Sequence, residues 1–138
     1  MLLAVQETLG LKNDLLFKAA TGFAGGMGLL GVSACGALSG GILAIGQKYG
    51  RERAALDNPV RTRSKTFELA KKLHERFVAE YGSSVCRDIQ QQLLGRSFNL
   101  WDPVEYQQFE DAGAHRDICT DVVGKGAQWV VELLLSEE

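Results

Sequence analysis

The sequence has no surplus of charge of either sign. Fifteen basic residues stand against 17 acidic ones, for a formal net charge of −2. That balance removes the usual electrostatic case for a nucleic-acid partner or an anionic membrane surface. It has no Cys-x-x-Cys pair: its three cysteines are scattered too widely for any zinc-ribbon spacing. With no Cys-x-x-Cys-His, the chain carries no c-type haem attachment of its own. It also lacks a His-Glu-x-x-His, a Ser-His-Asp spacing and a pair of carboxylates in an apolar context suited to acid–base work. No Gly-x-Gly-x-x-Gly lies between a convincing strand and a helix, so a dinucleotide fold is unsupported. Strand patterns are weak, and no internal repeat is found. The N-terminus has no basic region and reaches an acid at Glu7, so it does not read as a secretory signal, and a cytoplasmic location is expected.

One stretch is short of charge. Between Lys18 and Lys48 lie 29 uncharged positions, more than the ~20 apolar residues a bilayer-crossing helix needs. Lys48, Arg51 and Arg53 follow, as a cytoplasmic flank would. But nine of the 29 residues are glycine, and the run Gly22–Gly28 would break a helix in lipid. A buried helix preceded by a glycine loop is therefore expected here, in preference to a membrane span.

Two things are present in unusual measure. Glycine accounts for 16 of 138 residues, against a usual share of about 7%. Cysteine occurs three times, an odd number. The length suits one domain over residues 1–138.

Helix signals dominate. A first amphipathic piece covers about Leu2 to Leu9 and stops at Gly10. A second begins after Asn13, a good N-cap, and runs to Ala19. A glycine loop, Gly22 to Gly31, leads to a long helix from about Ser33 to Tyr49. Its small residues Gly36, Ala37, Gly40, Gly41 and Ala44 recur at spacings of three and four. Each interior glycine costs ~1 kcal/mol relative to alanine, so close approach by another element is expected along this helix. Asp57-Asn58-Pro59 marks a connection. The strongest periodicity lies between Ser64 and Tyr81, where Phe67, Ala70, Leu73, His74, Phe77, Val78 and Tyr81 share a face. A hydrogen-bonded core position is expected for His74. Ser83 or Ser84 is placed to cap the next helix, which carries Cys86, Ile89 and Leu93. A loop at 95–104 precedes a short helix over Val104 to Glu110. The last helix runs from about Ala114 to Leu135, with a stripe of Ile118 or Cys119, Val122, Gly126, Val130 and Leu133. The expected fold is all-α: a compact bundle of about five to six helices with a glycine-rich loop before the central one.

Cys35 and Cys86 each fall in the first turn of a helix, where open N–H groups and the helix dipole favour a thiolate. Arg87 adds positive charge beside Cys86 if it turns that way. His115 and Cys119 are four apart, a spacing that puts both within reach of one metal ion. Against these readings, free cysteine is among the most buried residue types and often packs as an inert hydrophobe. His115 equally reads as a partly exposed surface residue.

Three segments together resemble a known family. Gly22-Phe23-Ala24-Gly25-Gly26-Met27-Gly28, then Cys35-Gly36-Ala37-Leu38-Ser39-Gly40-Gly41, then Leu43 to Gly50 are similar to the redox-active proteins with a CGAxxG motif, the C_GCAxxG_C_C family. Cys86, after Tyr81-Gly82-Ser83-Ser84, and Cys119, before the Val-rich final helix, fall where that pattern wants its later cysteines. The family's first cysteine comes a few residues before a helix like that at Leu2, so it is absent from the sequence as given. Its loss ahead of Met1 would explain the odd count.

The resemblance implies a cysteine-centred redox or metal site in which Cys35, Cys86 and Cys119 converge, and the four-residue spacing to Cys119 offers His115 as a further metal ligand. Cofactors consistent with it are an iron–sulfur cluster or zinc, since soft sulfur ligands select such centres. The thiols could instead cycle between dithiol and disulfide, with a redox partner protein. Gly36 and Gly40 would let a helix or cluster approach near Cys35, and Gly25, Gly26 and Gly28 would shape the loop that closes over it. The alternative is a helical binding or homo-oligomerisation module, for example a homodimer, with inert cysteines and an exposed apolar surface around Gly36, Gly40, Leu43 and Ala44.

Overall fold

A computed structural model describes residues 1–56 and 61–137, the side chains of 61–64 excepted. The connection expected at Asp57-Asn58-Pro59 lies outside the described residues. Among those described, the chain forms seven α-helices and no strand beyond a single isolated bridge, so the protein is all-α. The helices are α1 Leu2–Leu9, α2 Asp14–Ala19, α3 Gly36–Tyr49, α4 Arg61–Tyr81, α5 Cys86–Leu94, α6 Pro103–Asp111 and α7 Cys119–Leu135. That exceeds the expected five to six.

Local chemistry explains most of the boundaries. Gly10 closes α1 in the left-handed conformation at φ 66°, which a glycine adopts without strain. The Asn13 side chain accepts from the Leu16 amide at 2.9 Å and starts α2. Asp102 accepts from the Val104 and Glu105 amides at 2.9 Å each, with Pro103 in the first helical position of α6. Asp102→Ala is expected to cost about 1 kcal/mol of stability, read from the shift of a urea unfolding midpoint.

Other expectations are corrected. The central helix α3 starts at Gly36, three residues later than its sequence suggests, because Ala34 is taken up in an antiparallel bridge with Val85. Neither Ser83 nor Ser84 caps α5, whose N-cap is Val85. The Ser83 hydroxyl instead accepts from the Val85 amide and donates to Asp88. The last helical stretch opens with a π turn, Ala114–Ile118, which runs into α7.

Helix α3 packs against α1, α4 and α7. Leu2 and Val5 of α1, Leu38 and Ile45 of α3, Leu73 and Phe77 of α4, and Val130 and Leu134 of α7 make the main core. The close approach expected along α3 occurs within the molecule. A methyl at Gly41 would stand 2.8 Å from Leu73 Cδ2 and 2.9 Å from Val130 Cγ2. The apolar face of α4 is turned from the expected one: Leu69, Leu73, Phe77 and Tyr81 are buried, whereas Phe67 and Val78 are exposed. His74 is exposed too, its Nε2 3.1 Å from the Ser84 hydroxyl, and so is not a core histidine. A smaller cluster of Leu100, Phe109 and Ala114 gathers Leu29, Leu94, Phe98 and Cys119 around it. Among the described residues, no helix is long and apolar enough to cross a membrane.

Candidate functional site

The three cysteines reach one place by three routes. Two extended pieces, one before α3 and one before α5, lie antiparallel. The Cys35 amide donates to the Ser84 carbonyl at 2.9 Å, and the Cys86 amide donates to the Ser33 carbonyl at 3.0 Å. With Ala34 opposite Val85, the alternation of side chains puts Cys35 and Cys86 on the same side of this bridge as diagonal neighbours. Cys35 is the N-cap of α3, and Cys86 is the first residue of α5. Cys119 arrives from the opposite wall, at the junction of the π turn and α7. All three are free thiols.

They stand between two cavities. One, of about 640 Å³, opens to solvent; the other, of about 30 Å³, is small and lies among Ile89, Leu93, Leu94, Ile118 and Val122. Cys35, Cys86 and Cys119 line both. The thiols thus occupy the seam where the main core, packed on Cys35, meets the smaller cluster, packed on Cys119.

Burial governs their ionisation. It pushes the Cys86 thiol up to about 12, with the neighbouring Cys35 adding to the rise and the Gln90 side chain drawing it back. Cys119 is pushed up to about 11, again by burial first and then by Cys35 and Glu110. Cys35 is also raised by burial. The Ala37 and Leu38 amides in the open first turn of α3 pull it the other way, although its sulfur closes no cap hydrogen bond. The expectation of thiolates at these helix starts is therefore reversed. A helix terminus favours an anion by ~0.3–1 kcal/mol when exposed, less than the cost of holding a thiolate in apolar surroundings. Arg87 does not help, because it turns outward beside Asp88 at 3.9 Å.

Gln90 is the residue that sequence reasoning missed. It is buried, with its Nε2 3.5 Å from the Cys86 sulfur and its Oε1 accepting from the Phe98 amide at 3.0 Å. The available signal was its position, one helical turn after Cys86. The glycines have separate tasks. A Cβ on Gly36 would lie 3.3 Å from Ala24 Cα, and one on Gly40 would lie 3.1 Å from Met1 Cβ, so both let other backbone pass close to α3. Gly25, Gly26 and Gly28 all have positive φ, in the segment that runs over Cys86.

His115 lies on the wall of the larger cavity, but its side chain is 55% exposed and its Nδ1 is paired with Glu110. Its ring meets Phe109 edge-on at 5.3 Å. A π turn, Ala114–Ile118, and not an α-helix covers the step from His115 to Cys119. Among the described residues, no three of His, Cys, Asp and Glu come together so as to hold a metal ion.

The fold and this site define an all-α protein with three thiols facing a shared cavity. The chain belongs to the family described as "Putative redox-active protein (C_GCAxxG_C_C)", whose model matches residues 1–133. No curated protein matches the chain. No solved structure matches it.

Proposed function

We propose that the protein is a thiol-based two-electron redox protein in which Cys35, Cys86 and Cys119 form one site. The convergence of three thiols, from three separate helix starts, on the walls of the same two cavities carries this reading. Cys35 is the attacking thiol. It is the one whose charge both other thiols feel, and backbone amides lower the cost of its thiolate. The co-reactant is a disulfide. Cys35 attacks one of its sulfurs, the co-reactant's S–S bond breaks, and the departing thiolate takes a proton. Cys86 or Cys119 then displaces the second half and closes a disulfide with Cys35. Two protein thiols are oxidised, one disulfide is reduced, and the two protons end on the product thiols.

The glycine-rich segment over Cys86 closes the site, and the family's remaining cysteine comes a few residues before a helix like α1, whose N-cap Met1 lines the larger cavity. The assembly alternative has less support, since Gly40, Gly41 and Ala44 are buried within the fold and Leu43 packs on its core. The test is anaerobic purification followed by metal, sulfide and thiol counts, then titration with a disulfide. A colourless protein that reversibly loses two thiols per chain, with a disulfide mapped to Cys35, is expected. A brown protein holding iron and sulfide, or three thiols that resist the titrant in the folded state, overturns the proposal.

A further inference from the structure

The larger cavity carries an inference of its own. Its volume, about 640 Å³, falls in the range of sites for small organic ligands. Among the described residues its wall carries no Asp, Glu, Lys or Arg; the ionisable groups at it are the half-buried Met1 amino group, which burial pushes below its usual value, and His115, already paired with Glu110. Aromatic rings reach it from separate elements: Phe17 from α2, Phe23 from the 3-10 turn that follows, and Tyr106 and Phe109 from α6. Phe17 is 49%, Phe23 44% and Tyr106 38% exposed, so large apolar surface is left open to water around this cavity. Leu29, another wall residue, is held at φ 64°, a conformation that costs a branched side chain of order 1–3 kcal/mol and that clusters at ligand clamps.

The wall is also braced. Trp101 Nε1 donates to the Gly28 carbonyl at 2.9 Å, tying the loop before α6 to the glycine-rich segment, and Gln90 fixes Phe98 from beneath. A shaped, aromatic-lined cavity with so little charge at its wall favours apolar ligands. An ammonium entering it would lose hydration with no carboxylate side chain on the wall, and an anion would meet only a Met1 amino group that burial biases toward its neutral form and a His115 already held by Glu110.

We infer that this cavity is a binding site for an uncharged, predominantly apolar and aromatic small molecule. The inference rests on the thiol reading only in what such a ligand does next: as co-reactant of Cys35 it is an apolar disulfide, not a charged peptide one. Binding itself needs no thiol chemistry.

The test uses two fluorescent probes with the same rings, N-phenyl-1-naphthylamine and its sulfonated relative 8-anilino-1-naphthalenesulfonate. The neutral probe is expected to bind saturably, one per chain, and the sulfonate about tenfold or more weakly. Thr21→Trp and Thr120→Trp change exposed residues on the cavity wall. Each is expected to weaken the neutral probe about tenfold while the helical circular dichroism stays unchanged. Absence of saturable binding overturns the inference, as does equal affinity for the sulfonate or undiminished binding in both folded variants. The probe comparison on the unaltered chain stands even if a variant fails to fold. Titration of the unaltered chain with a disulfide reads the redox couple separately from probe binding. Probe binding without a redox couple in the parent defeats the proposed function alone, and a redox couple without probe binding defeats this inference alone.

Discussion

Gly26→Ala is expected to lower stability by about 2–5 kcal/mol, a large part of the ~5–15 kcal/mol that holds a typical domain folded. Two costs add. Gly26 sits at φ 66°, where an L side chain pays ~1–2 kcal/mol. Its new methyl would also stand 2.5 Å from Cys86 Cβ and 3.0 Å from both Gly31 Cα and the Ser33 carbonyl oxygen. Two of those three neighbours are backbone, so the strain cannot be relieved by a side-chain rotation, and overpacking adds ~1–3 kcal/mol. Gly28→Ala provides the control. It has a φ of 56°, and a Cβ there meets nothing within 4 Å. Only the conformational cost applies, about 1–2 kcal/mol. Urea unfolding of both variants, at unchanged m-value, separates the two terms. Equal losses would show that the contact with Cys86 is not tight. Because the clash pushes on Cys86 itself, Gly26→Ala should also slow disulfide closure with Cys35 if Cys86 is the proposed second thiol, while Gly28→Ala should not.

The second large effect is in the redox potential. Oxidation of two protonated thiols releases two electrons and two protons, so the midpoint potential falls by about 59 mV per pH unit. In an ordinary dithiol this slope slackens once pH passes the usual thiol value near 8.5, because the reduced form then begins to lose its protons unaided. Here Cys119 is pushed up to about 11, Cys86 to about 12, and Cys35 is raised as well. The reduced site keeps its protons, and the slope is expected to stay straight through pH 9. A break near pH 8.5 in a redox titration would show the thiols to be solvated and this geometry to be wrong. The same shifts set the stability of the reduced protein in alkali. Folded pKa values above the unfolded value mean that the stabilisation is whole below about pH 9 and is lost as pH rises toward 11 and 12. Reduced protein should therefore loosen in alkali before oxidised protein does.

Much of the local structure was legible in the sequence. Gly10 and Asn13 act within one turn of themselves, through φ preference or a single side-chain cap, and those effects need no partner from far along the chain. The glycine stripe on α3 correctly announced close packing, but not against what. Leu73 and Val130 fill that role, and neither is near α3 in sequence. The order of the cysteines carried the family resemblance, and the family match bears it out. Periodicity alone placed Leu73, Phe77 and Tyr81 of α4 correctly but not Phe67, His74 and Val78. A helix of 21 residues drifts round its own axis, and only packing against α3 and α7 selects Leu69, Leu73, Phe77 and Tyr81 over Phe67 and Val78.

The sequence by itself determined an all-α chain, the positions of most helix ends, and three thiols set among glycines that only a close approach explains. The tertiary structure decided what those thiols are. A two-residue exchange between the pieces around Ala34 and Val85 brings Cys35 beside Cys86, and the π turn before α7 brings Cys119 to the same wall. It also decided their charge. The helix-end effect that favours a thiolate is local and can be read from spacing, but the desolvation that opposes it is a sum over everything packed around the sulfur. That sum exists only once the two apolar clusters have closed on either side of the site.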